Sequence, residues 1–67
     1  MKLHQYYAEV SKRQAKTNER KGQAAFNVLY AVRSELALKI SGSDIDPFYD
    51  DYLNADFLTF LTNEWGK

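Results

Sequence analysis

The chain reads as all-α, a small bundle of three to four short helices forming one domain over residues 1–67, and three observations predict it. Apolar residues recur at i, i+3 and i+4 in separate stretches, the period of a helix with one buried face. The stretch GQAAFNVLYAV, residues 22–32, carries no charge between Lys21 and Arg33. Apolar and polar residues never alternate with period two over a useful length, so no strand is predicted.

From Lys2 to about Lys16, Leu3, Tyr6, Tyr7, Val10 and Gln14 share one face, with Lys2, Glu9, Lys12, Arg13 and Lys16 opposite. That is an amphipathic helix with a solvated back. Thr17 and Asn18 are poor helix formers and good caps, so the helix ends or bends there, with continuation through Arg20 as the alternative. In the uncharged stretch Ala25, Val28, Leu29 and Val32 share a face that Phe26 and Ala24 widen. A helix apolar over most of its circumference has to be surrounded, which makes this one the central post. Gly22 costs about 1 kcal/mol relative to Ala inside a helix, which favours the first turn or close contact with a neighbour.

Ser34 reads as the N-cap of a short helix, SELALKI, with Leu36 and Ile40 on its apolar side and Gly42 ending it in the left-handed conformation. A single rod from Arg20 to Ile40 is the alternative, and the residues do not choose between the two. SGSDIDPFYDDYLN is the main loop; Asp46 before Pro47 suits an N-cap and first helical position, so that one turn over residues 47–51 would present Phe48 and Tyr49 to the core. Asn54 can cap a last helix in which Phe57, Phe60, Leu61 and Trp65 recur at helical spacing and Leu58 broadens the stripe.

A chain of 67 residues buries a thin core, since domains of this size bury only about 60% of the surface their unfolded form exposes. With 45% apolar and 15% aromatic residues, it is nevertheless too rich in large side chains for a disordered tail. The absence of cysteine excludes disulfides and cysteine-ligated zinc and suits a reduced compartment. No apolar run approaches the roughly 20 residues that span a bilayer, and no secretory signal opens the chain, so the expected setting is the cytoplasm. The formal net charge of zero hides a division: residues 1–40 carry eight basic against three acidic residues, +5, and residues 41–67 carry six acidic against one basic, −5. Such asymmetry points either to charged partners or to halves that attract each other in the fold.

No constellation for catalysis, cofactor or metal emerges. His4, the only histidine, has no nucleophile-elbow serine or cysteine to serve, and reads as an ordinary boundary residue. Counted from Asp44 as a calcium loop, the positions that need Gly and Glu are Tyr49 and Ala55, so that template fails. The acids Asp44, Asp46, Asp50 and Asp51 read as caps and a solvated rim. With Asp56, Glu64, Tyr49 and Tyr52 they could instead present spaced negative charge to a basic surface, if one exposed face holds them.

The series GQAAFN with Leu29, then ISGS with DPFY at residues 46–49, then Phe60, Leu61 and Trp65 resembles a group of small uncharacterised proteins encoded by bacteriophages and prophages, over roughly residues 20–65. Ser43 stands where the group carries Thr after the glycine. The resemblance implies a mobile-element context in a host cytoplasm, no catalytic residues, and a small protein that binds and redirects a host protein.

Two function classes follow. The first is a non-enzymatic protein–protein interaction module that docks through aromatics and charged edges: Tyr49, Tyr52, Asp50, Asp51 and Trp65, with self-association as another way to bury exposed aromatics. The second is a small nucleic-acid-binding regulator using Lys12, Lys16, Arg20 and Lys21, where Lys12 and Lys16 are four apart on a helix and Arg20 would continue the row.

Overall fold

The computed structural model describes all of residues 1–67 and contains four helices and no strand: α1 (Leu3–Lys16), α2 (Lys21–Val32), α3 (Ser34–Ile40) and α4 (Ala55–Glu64). They pack into a body of 30 × 25 × 19 Å. No helix is long and apolar enough to cross a membrane.

α1 buries the face its periodicity marks. Tyr6 and Val10 are fully covered, and Leu3 and Tyr7 pack beside them. The Tyr6 hydroxyl donates a 2.6 Å hydrogen bond to the Ala25 carbonyl, so α1 and α2 are joined by a buried polar contact as well as by packing. Burial pushes the Tyr6 hydroxyl well above its ordinary range, and the neighbouring Tyr7 adds to the effect. The helix stops at Thr17, whose backbone is extended and whose N–H still reaches Arg13 O. Glu19 braces the connection: its carboxylate accepts from Arg13 Nε, from Thr17 Oγ1 at 3.1 Å and from Asn27 Nδ2 at 2.7 Å.

α2 is the post, although it is covered on one side only. Ala24, Ala25 and Leu29 have no exposure, whereas Val28 is half-buried and Val32 is 38% exposed. The expectation of a helix surrounded on every side is therefore corrected: α1 and α3 cover too little of a helix this long, and one apolar edge faces out. A single rod through Ile40 is also ruled out, because Arg33 leaves helical geometry at φ −142°, ψ 68° and α3 turns back from there. The carbonyl that starts α3 is that of Arg33, accepting from Leu36 and Ala37, so Ser34 is the first helical residue and not the cap. Leu36, Ala37 and Ile40 complete the core from this side.

Gly42 takes φ +77° two residues beyond Ile40, the left-handed stop that a residue without Cβ adopts at no steric cost. The last helix begins on Asn54, whose Oδ1 accepts from Phe57 N–H at 2.7 Å. α4 buries Phe57 and Leu61 against the core, and Phe60 and Trp65 pack at its margin.

Candidate functional site

The loop between α3 and α4 is held by its own side chains. Asp46 accepts from Gly42 N–H through Oδ2 at 2.8 Å and from Phe48 N–H through Oδ1 at 3.0 Å, so one carboxylate ties the start of the loop to its middle. Pro47 is buried, and Asp50 N–H closes a turn onto Pro47 O at 2.8 Å. Residues 47–50 thus form a hydrogen-bonded turn and not a helical one. As a consequence Tyr49 points to water, contrary to the expectation that it would enter the core with Phe48.

This turn is docked on the N-terminus of α2. Gly22 N–H donates to Asp50 O at 3.1 Å, and the Arg20 guanidinium donates to Tyr49 O at 3.2 Å while pairing with Asp51 at 3.3 Å. α2 has no side-chain N-cap, so the loop carbonyl supplies a partner that its first turn would otherwise lack. The approach is so close that a Cβ at Gly22 would overlap the Pro47 carbonyl oxygen and lie 2.6 Å from Asp50 O. Glycine is at this position because two backbones meet there.

Above this anchor the side chains form a strip. Tyr30 lies over Phe26 with ring centroids 6.4 Å apart, Phe26 meets Phe48 edge-on at 5.6 Å, and Phe48 meets Tyr49 at 5.0 Å. Phe26 and Phe48 in the middle of the strip are half-buried and its two ends are open: Tyr30 is 53% and Tyr49 80% exposed, and Tyr52, three residues on, is 81% exposed. Of the acids next to Tyr49 in the chain, Asp51 is exposed and Asp50 is half-buried, its Oδ2 accepting from Asn54 Nδ2 at 3.3 Å. What this arrangement offers is an aromatic surface on a hydrogen-bonded loop, with Asp50 and Asp51 at its edge. No three of the carboxylates converge where a metal ion could be held.

Of the residues expected to bind a partner, Tyr49, Asp50, Asp51 and Tyr52 are brought together and Trp65 is not. Its indole packs on Tyr6 at 5.2 Å, carries the Arg33 guanidinium at 5.4 Å and donates Nε1–H to Met1 O at 3.0 Å. Trp65 thereby closes the two ends of the chain over the C-terminal end of α2, roughly 18 Å of helix away from the Gly22 end. Phe26, Tyr30 and Phe48 join the site without having been marked for it; the i, i+4 spacing of Phe26 and Tyr30 is the one signal in the sequence that points to them.

The four cations of the nucleic-acid reading do not share one surface: Lys12 and Lys16 stay together, and Arg20 and Lys21 lie elsewhere. Because α1 ends at Lys16, Arg20 does not continue the Lys12–Lys16 row and instead joins the loop. Lys21 borders a hollow of about 280 Å³ with Tyr7, Leu53 and Leu58. Lys12 and Lys16 line a groove between α1 and α2 of about 390 Å³, floored by Val28, Ala31 and Val32. Searched against protein-family models, curated proteins and solved structures, the chain matches none.

Proposed function

We propose that the chain is a non-enzymatic protein–protein interaction module, a phage-encoded modulator of a host protein, that docks through Tyr49 and Tyr52. The observation that carries this is the exposure of two large aromatic side chains on a loop whose backbone is fastened at Gly22, Arg20 and Asp46. Tyr is among the residues that anchor interfaces, because it brings a large amphipathic contact at the cost of few rotatable bonds. A loop already ordered loses little further entropy on binding, which favours affinity. The acidic margin selects for a partner whose apolar hollow is edged by Lys or Arg. The phage context rests on the resemblance of GQAAFN, DPFY and the terminal Trp alone.

The test compares the proteins retained from bacterial lysate by the chain and by its Tyr49→Ala/Tyr52→Ala variant. A protein held by the first and lost with the second, and held equally by Lys12→Glu/Lys16→Glu, is the expected result. If no retained protein distinguishes the loop variant from the parent chain, the reading is wrong. Nucleic-acid binding by Lys12, Lys16, Arg20 and Lys21 is the weaker reading, since those four side chains share no face.

A further inference from the structure

We infer that the groove between α1 and α2 receives the Tyr49–Tyr52 loop of a second copy of this chain. This rests on the reading of that loop as a docking element, and it names a partner for it. The groove has an apolar floor of Val28, Ala31 and Val32 and a lip of Lys12, Arg13 and Lys16 against the single acid Glu9. Lys16 has no carboxylate partner, and Lys12 has only Glu9 one turn away in an exposed pair, of the kind worth about 0–1 kcal/mol. At about 390 Å³ it has room for aromatic side chains rather than for a helix, whose diameter is about 10–12 Å.

The charge division decides the occupant. Had the two halves satisfied each other within the fold, many ion pairs would cross between them; only Arg20–Asp51 and Lys39–Glu64 do. The pairs Glu9–Lys12, Arg13–Glu19 and Arg33–Glu35 lie inside the basic half, and Glu64–Lys67 inside the acidic half. Lys2, Lys16 and Lys21 on one side and Asp44, Asp46, Asp50 and Asp56 on the other form no ion pair, and Asp51 has only an exposed one with Arg20, which leaves Lys16 at the groove and Asp51 on the loop open to a charge in another molecule. The loop cannot fill the groove of its own chain. It is anchored at Gly22, and on α2 the Phe26–Tyr30 strip it extends lies more than about 100° around the helix from Val28, Ala31 and Val32. Loop into groove is an unlike pairing of surfaces, which either closes into a ring or runs on from copy to copy. A contact of this size is transient and sensitive to salt.

The experiment is sedimentation velocity on the full chain and two surface variants, Lys12→Glu/Lys16→Glu, which alters the groove, and Tyr49→Ala/Tyr52→Ala, which alters the loop. The parent chain associates reversibly as its concentration rises to about 1 mM at low salt, and about 500 mM NaCl weakens that association at least about fivefold. Each variant alone is monomeric. Mixed, they form a 1:1 complex and stop there, because one supplies an intact loop and the other an intact groove. A parent chain that stays monomeric at about 1 mM overturns the inference, as does a variant that associates like the parent or a mixture that remains monomeric. Duplex DNA bound at Lys12 and Lys16 by a chain that never self-associates overturns it in favour of a phosphate-binding lip. Monomeric behaviour combined with loop-dependent retention of a foreign protein would end this inference and leave the proposed function standing.

Discussion

Replacing Gly22 by Ala sets two effects against each other, and the geometry decides between them. Ala is favoured over Gly in a helix by up to about 1 kcal/mol, partly through the unfolded chain, and at the start of α2 the gain is smaller. Opposing it, the added methyl would overlap Pro47 O and lie 2.6 Å from Asp50 O. Both are backbone atoms, so no rotamer change relieves the clash and the turn has to retreat by about 1 Å to restore ordinary contact distances. Overpacking of that kind costs about 1–3 kcal/mol. The retreat also stretches the 3.1 Å bond from Gly22 N–H to Asp50 O, a further loss of about 1 kcal/mol. The net expectation is a destabilisation of about 1–3 kcal/mol, out of the roughly 3–10 kcal/mol typical of a chain this long. Urea unfolding followed by the fluorescence of Trp65, the only tryptophan, reads it directly. The midpoint should fall by about 1–3 M for a slope near 1 kcal/mol per M. Gly66→Ala is the control, since nothing lies within 4 Å of a Cβ there, and it should be neutral within about 0.5 kcal/mol. A Gly22→Ala midpoint equal to the control, or higher, would refute the close approach of the two backbones.

Other consequences can be checked in the same assay. Tyr6→Phe removes the buried 2.6 Å bond to Ala25 O and should cost about 1–2 kcal/mol. Because burial raises the Tyr6 hydroxyl above its ordinary value of 10.0, the unfolded chain loses that proton first and stability falls as pH rises above about 10; the Phe variant should lack this part of the alkaline loss. Asn54→Ala removes the cap on α4 and the ties to Ile45 O and Asp50, for an expected loss of about 1–2 kcal/mol, with Asn54→Asp recovering the cap alone. Hydrogen bonds from Arg13 first, then Thr17 and Asn27, hold the Glu19 carboxyl below the usual carboxylate range. Its contribution is therefore complete above the ordinary value of 4.5 and is lost as pH falls through the lower folded value. Glu19→Gln should flatten the acid side of the urea midpoint against pH, and an unchanged acid limb would contradict the role given to Glu19.

The helical elements were legible wherever one residue's chemistry settles a local question. The 3.6-residue period of Leu3, Tyr6, Tyr7 and Val10, the cap at Asn54 and the left-handed stop at Gly42 depend on neighbours in the chain, and all three stand where the pattern puts them. What was illegible depended on residues distant in sequence. The break at Arg33 is accompanied by contacts to Trp65, 32 positions on, and the reason for glycine at position 22 is the backbone at 47–50. Val32 looked like core because its own helix is apolar, yet its exposure follows from how little of α2 the short α1 and α3 can cover. At the site, Tyr49 and Tyr52 were legible as aromatics in a polar loop, whereas the ring contacts that join Tyr49 through Phe48 and Phe26 to Tyr30 required the loop to be placed on α2.

The proposed docking depends on the segment from Phe48 to Asp51 being as ordered as the helices it rests on. Backbone ¹⁵N relaxation measures that order residue by residue. Order parameters near about 0.85 through Tyr49 and Asp50, equal to those in α2, are the expected result; values below about 0.6 would mean that the aromatic surface is not pre-formed and would contradict the account.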